Sequence, residues 1–348
     1  MQTLPPTAEA YALDQRREIA AAVAAVRRLW RRMGDDFDGS WAHIGPQMLA
    51  VTDIAQERVA VGALEYVPAV LEDTGQVQAV RAVATPQPRS LVGVAGDGRP
   101  VSGLLYEAVV GAKTAIRDGA SAAQALAQRG QWLTMATGTL LSDTGRQAES
   151  LGMGVRPVSG YVRMLTPPSC SRCVVLAGRW YRKSAGFARH PGCDCRHIPS
   201  SESVGGEMTV DPRAHFDSLD VAGQDATFGK AGADAIREGA DIGQVVNARR
   251  GVSLAGQTST TSREMWVRKP DGSVVWESRT VNVTRRQAQA TQVGGRNVLT
   301  TTEGTTRRGQ ASRAATGRRG ARLMPETISQ VATDREDYLR LLRVNGYI

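Results

Sequence analysis

The sequence predicts an α+β protein that is mostly α: a helical body, a small loop-and-strand module stapled through cysteine, a β-hairpin and a C-terminal helix. Three observations predict it. Apolar residues recur at helical spacing through most of the first 150 residues. All four cysteines of the 348-residue chain fall between Cys170 and Cys195. Pro270-Asp271-Gly272 separates two runs rich in valine and tryptophan, MWVRK and SVVWES, which is the pattern of a hairpin. Residues of the AVILMFWYC set make up 41% and aromatics only 5%, so the core packs through Ala, Val and Leu. With 37 glycines, long irregular stretches are expected between helices.

Residues 1–84 read as an N-terminal helical region. Ile19, Val23, Val26 and Trp30 recur at steps of four, three and four, which puts them on one face with Arg16, Arg17, Arg27, Arg28 and Arg31 off it. Gly34 and the Asp-Asp pair after it end the pattern. A second helix is expected from about Gly45 to Val70, with Met48, Val51, Ile54, Val59 and Leu64 in the core. Residues 85–154 form a helical core that opens on the loop TPQPRSLVGVAGDGRP. Gly93, Gly96 and Gly98 there are not a phosphate cradle, because no strand-then-helix unit surrounds them and no Gly-Lys-Ser/Thr follows. Helices are expected near 102–117, 121–129 and 131–149, buried through Leu104, Leu105, Val109 and Val110, then Leu133, Ala136, Leu140 and Leu141. Residues 155–205 hold the cysteines, entered through GYVRMLTP, which reads as a short alternating strand. A helical segment covers 206–250, a linker and β-hairpin 251–284, an Arg-rich flexible arm 285–324, and a C-terminal helix 325–348. Pro325 can open that last element, and Thr333 to Glu336 has capping-box spacing. Leu339, Leu341, Leu342 and Val344 supply its apolar side.

The formal charge is +9, and nearly all of it sits in one place. Between Val281 and Arg322 stand nine arginines, opposed only by Glu303, which leaves the rest of the chain near +1. Arg285, Arg286, Arg307, Arg308, Arg313, Arg318 and Arg319 are the candidate nucleic-acid contacts, since arginine forks suit phosphate and carboxylate alike. Two readings stand beside each other: contact with packaged nucleic acid or an acidic protein surface, and a solvated arm with no specific partner. No apolar run approaches the roughly 18–20 residues of a spanning helix, the longest being Ile19–Val26, so no membrane span is expected. The opening MQTLPPTAEAY lacks the charged and apolar regions of a secretion signal, and export is not expected.

The chemistry concentrates in PPSCSRC and HPGCDCRH. A C-x2-C turn can point Cys170 and Cys173 at one ion. In extended backbone Cys193 and Cys195 share a face, while Asp194 and Arg196 take the other. His190 can swing onto the same ion across Pro191-Gly192, and His197 is a sixth candidate. The expected ligands of a structural, four-coordinate Zn2+ are Cys170, Cys173, His190, Cys193 and Cys195, more than four positions need. That makes the module zinc-stapled rather than catalytic, since a catalytic zinc keeps an open position. Reduced unliganded thiols and one or two disulfides are the alternatives. Elsewhere there is no H-E-x-x-H, no G-x-S-x-G and no Walker loop. His215 in DPRAHFDSLD reads as a surface histidine rather than part of a Ser/His/Asp site, and His43 beside Trp41 as packed in the helical region.

These motifs carry a resemblance. A helical body, then C-x2-C, Gly178-Arg179-Trp180-Tyr181 and H-x2-C-x-C, resembles the MuF-like head-morphogenesis, or minor capsid, proteins of tailed bacteriophages. The lead-in SLVGVAGDGRPVSGLL and the ending LMPETI…DYLRLLRVNGYI are similar to versions from phages of actinobacterial hosts. The likeness is strong over about 90–200, weaker at both ends and absent for the hairpin and basic arm; His197 is additional to the family pattern. It implies a virion protein, assembled in the host cytoplasm with portal and major capsid proteins, several copies lying inside the capsid near the portal. Contact with packaged DNA fits the arm. The family also carries a capsid maturation protease label, which makes processing of capsid or scaffold protein the alternative function. A metal-dependent nuclease built on the Cys/His segment is a third reading, and no clustered carboxylates accompany it.

Overall fold

The computed structural model describes residues 4–166, 169–186, 193, 195–208, 210–249, 252–254, 258–268, 274–284, 292–293, 296–301, 303 and 322–348. These residues are mostly helical with small antiparallel sheets, the α+β class read from the sequence. They form two compact units: residues 1–169 with 176–211, and residues 170–175 with 212–348.

The first unit is built on α1 (Pro6–Trp30), α2 (Phe37–Asp73), α3 (Val101–Arg117) and α4 (Ala122–Gly154). α1 opens with proline at its first position, where the missing N–H costs nothing. Its predicted stripe is used, with Val26 and Trp30 buried and Ile19 and Val23 half-buried. α2 starts eight residues before the predicted Gly45. Asp36 caps it by accepting the Gly39 N–H at 2.9 Å, and Phe37 and Ile44 are buried. Its core row runs Met48, Thr52, Ala55, Val59, Ala63, Tyr66, Val70, at steps of three and four. Ile54 lies one position off that row and is 54% exposed, contrary to expectation. Val110, also expected inside, faces outward on α3.

α4 is one helix where the sequence suggests two. It starts at a capping box between Ser121 and Gln124 and runs through Gly130 without a break. There the Trp30 ring packs so closely that a Cβ on residue 130 would stand 2.9 Å from its Cδ1. The indole N–H also donates to the Leu126 carbonyl at 3.0 Å. Glycine is therefore a packing requirement at this position, not a helix stop. The loop between α2 and α3 is tied to α2 by Gln56, which accepts from the Gly93 N–H and donates to the Val94 carbonyl. One core cluster joins Val26, Trp30, Phe37, Met48, Leu105 and Leu133. A second joins Tyr11, Tyr66, Val70 and Met153 to the small sheet through Tyr161, Val162 and Ile198. Each such side chain contributes about 1.5–3 kcal/mol by leaving water.

That sheet has the order β2 (Trp180–Arg182), β1 (Gly160–Arg163), β3 (His197–Ser200), all antiparallel. β1 was expected to alternate, yet all four residues are buried. Val162 is covered by the short helix α6 (Glu202–Gly205), while Tyr161 and Arg163 point to the opposite face.

In the second unit the helical region predicted around Asp225–Arg249 is three short helices, α8 (Val221–Phe228), α9 (Lys230–Arg237) and α10 (Ile242–Ala248). They follow α7 (Pro212–Ser218), and α5 (Ser171–Leu176) lies earlier in the chain. Strands β4 (Val252–Leu254), β9 (Leu299–Thr301) and β10 (Arg322–Leu323) form a sheet in the order β10-β9-β4. The predicted hairpin is present as β5 (Thr258–Arg268) and β6 (Val274–Thr284), paired from Thr258↔Thr284 to Arg268↔Val274. It absorbs Ser/Thr-rich residues that read as linker. β7 (Gln292–Val293) pairs with β8 (Arg296–Asn297).

The C-terminal region is two helices, α11 (Pro325–Val331) and α12 (Arg335–Val344). The cap of α12 is Asp334, bonded to the Asp337 N–H at 2.9 Å, one residue later than the Thr333 predicted. Leu342 is buried, but Val344 is 63% exposed. Arg322, one of the nine clustered arginines, is 3% exposed and acts as an anchor. It donates to the carbonyls of Gln244, Glu303 and Asn345, each at 3.0 Å, and lies 4.0 Å over the Tyr347 ring. The stretch from Leu299 to Leu323, read as part of a flexible arm, thus begins and ends in paired strands.

Candidate metal centre

Two neighbouring strands bring the cysteine segments together. β1 ends at Arg163 and leads toward Cys170, while Cys193 and Cys195 lead into β3. Because β1 and β3 are antiparallel, with Arg163 opposite His197, the exit of one lies beside the entry of the other. The pairing extends one step further through the Met164 N–H, which donates to the Arg196 carbonyl.

Cys173, Cys193 and Cys195 are buried, and their sulfurs all lie within 4.8 Å of one another. None of the four cysteines is in a disulfide. Cys170 is half-buried with its sulfur 3.3 Å from that of Cys173. Three convergent buried thiols can hold a metal ion. His190 lies outside the described residues, as do Arg285, Arg286, Arg307, Arg308, Arg313, Arg318 and Arg319.

Two buried arginines surround the C-x-C segment. The Arg163 guanidinium donates to the Cys195 sulfur at 3.3 Å and reaches the Cys193 sulfur at 3.8 Å. Its charge favours the thiolate, the form that binds metal. Arg146 donates to the carbonyls of Cys193 at 2.9 Å and Cys195 at 3.0 Å, which fixes the backbone that presents the sulfurs. Asp143 holds Arg146 in turn at 2.6 Å.

The next two residues serve the helical body. Arg196, 1% exposed, donates to the Ser142 carbonyl and fits because residue 145 is glycine; a Cβ there would stand 2.7 Å from its Nη1. His197, counted as a sixth ligand candidate, places Nδ1 2.8 Å from Glu149 and its ring against Tyr161. Glu149 is fully buried on α4, accepts the Tyr11 hydroxyl at 2.6 Å and accepts the His197 N–H at 3.1 Å. Burial pushes the Glu149 carboxyl up, but His197, Arg196 and the Tyr11 hydroxyl together outweigh it and hold the group below the ordinary carboxylate value. Burial, reinforced by the Glu149 charge, raises Tyr11 and Tyr66 well above an ordinary tyrosine.

Sequence reasoning found the cysteines and missed Arg146, Glu149 and Arg163. The available signal was an arginine inside the apolar run GYVRML, and Arg146 and Glu149 three apart on the buried side of α4. Two histidine expectations are corrected. His215 is buried on α7, not at the surface, and burial lowers its imidazole below the ordinary value. Among the described residues no serine hydroxyl bonds its ring; Ser218 donates to its backbone carbonyl instead. His43 is exposed on α2, since it falls off the core row. No described helix is long and apolar enough to cross a membrane.

Comparison of the chain with protein-family models, with curated proteins and with solved structures finds no match.

Proposed function

We propose that this protein is a minor head protein of a tailed bacteriophage, a structural component in which Zn2+ staples the cysteine module to the helical body. The observation that carries this reading is the buried sulfur cluster. Three cysteines of the motifs that carry the resemblance converge, with the backbone of Cys193 and Cys195 held by Arg146 and the Cys195 sulfur met by the Arg163 guanidinium, which supports the reading. Sulfur donors in a tight set suit zinc, and burial suits a structural ion rather than one that must admit substrate. In this reading the helical body and the C-terminal unit meet portal and capsid partners, and the Arg-rich stretch lies against packaged DNA. The protein acts in the virion after assembly in the host cytoplasm.

Quantitative mass spectrometry of purified particles of the parent phage tests the proposal. The expected result is this chain, intact, at a few to tens of copies per head. Absence of the chain from particles overturns the proposal, and so does self-cleavage combined with trimming of the major capsid protein, which moves the protease reading ahead.

A further inference from the structure

We propose that the cleft between the C-terminal turns of α1 and the first half of α4 docks an acidic protein segment through one apolar anchor. Arg27, Trp30 and Arg31 on α1, spaced to share a face, stand opposite Leu126, Ala127, Gly130 and Thr134 on α4. The cleft has a volume of about 510 Å³, inside the ~300–1,000 Å³ range of sites that enclose ligand groups. Its floor is mostly apolar. Trp30 is packed on Gly130 and bonded to the Leu126 carbonyl, and Met33 also lines the cleft.

The rim carries unmatched charge. Arg27 and Arg31 are exposed, and neither forms an ion pair with a carboxylate among the described residues. The carboxylates next along the chain belong to a separate cleft: Asp36 caps α2, and Asp38 pairs with Lys113. An apolar floor beneath free guanidinium groups fits a segment that offers a leucine or aromatic side chain flanked by glutamate or aspartate. A DNA duplex would satisfy the arginines through its phosphates but keeps its bases stacked inside, so it offers no apolar group to place against Trp30, Met33 and Leu126. The inference is independent of the zinc and capsid readings.

The test is fluorescence anisotropy of the full chain against an array of short peptides, each with one Leu, Phe or Trp anchor flanked by glutamates at helical spacing. Matched peptides carry glutamine or lysine in place of glutamate, and a DNA duplex is run beside them. Glutamate peptides are expected to bind, and Arg27→Glu/Arg31→Glu is expected to weaken them about tenfold or more. Ala127→Trp, at an exposed position that fills the cleft, is expected to block binding. Arg89→Glu/Arg99→Glu, of equal charge change elsewhere, is expected to leave it unchanged. Should Ala127→Trp fail to fold by circular dichroism, the charge reversal at exposed positions carries the test alone. The proposal is overturned if glutamate peptides bind no better than glutamine ones or if the rim reversal leaves binding intact. It is also overturned if DNA alone binds in a rim-dependent way.

Discussion

Glu149→Gln removes one charge from the centre of the first unit and changes almost nothing in volume. In the wild type Oε1 accepts the Tyr11 hydroxyl at 2.6 Å, while Oε2 accepts the His197 N–H and lies 2.8 Å from Nδ1. Glutamine can satisfy only one side. If its NH2 faces His197, donor meets donor; if it faces Tyr11, the hydroxyl proton loses its acceptor. Arg196, 1% exposed, loses its nearby anion in either case. Hydrogen bonds to a charged group are worth about 1.5–3 kcal/mol each, and breaking a buried charge arrangement costs about 3–5 kcal/mol. The expected loss is therefore about 3–5 kcal/mol, which lowers Tm by roughly 6–20 °C for a unit of this size. Circular-dichroism melting at pH 7 reads it, with exposed Glu65→Gln as a control expected within about 0.5 kcal/mol of wild type. The sign with pH follows from the depressed carboxyl. Its folded value lies below its unfolded one, so its contribution is full above the unfolded value and is lost as pH falls through the folded one. The gap between wild type and Glu149→Gln is expected to narrow in acid. A Tm within about 2 °C of wild type at pH 7, a third of the smallest shift expected, would refute the reasoning.

Arg163→Met keeps the volume but removes the guanidinium from the sulfurs, and metal affinity is expected to fall about 10–100-fold, read by chelator competition; unchanged affinity counts against its role. Arg322→Ala strips three carbonyls and the Tyr347 ring of their partner and is expected to cost about 3 kcal/mol or more, with faster limited proteolysis of residues 212–348. Because Arg322 is buried, the same variant is expected to keep its DNA affinity, and a loss there would contradict the anchor assignment. The full chain is expected to bind duplex DNA without sequence preference, at least about a hundredfold more weakly at 200 than at 50 mM salt; a flat salt response removes the DNA contact.

Much of the helical body was legible because the row of Val26 and Trp30 and the row through Met48 and Val59 keep helical spacing. Breaks were misread where a tertiary contact overrides a local signal. The break expected between residues 129 and 131 is the seat of Trp30 on Gly130; the second helix, expected from about Gly45, is already capped at Asp36. The hairpin was visible through Pro-Asp-Gly, its length was not, since Ser/Thr-rich residues read equally as linker. Clustering of scarce cysteine announced the buried sulfur cluster. Its buried charged surroundings were hidden, since Arg163, Arg146 and Glu149 gain meaning only when β1, β3 and α4 meet. For the same reason Arg322 read as one more arm arginine, although its partners lie 19 to 78 residues away.

Elemental analysis with native mass spectrometry, on protein purified without chelator, tests the central claim most directly. About one zinc per folded chain is expected, lost on Cys173→Ser or Cys195→Ser together with protease resistance across residues 155–200. A folded, monodisperse protein with no bound metal would contradict it.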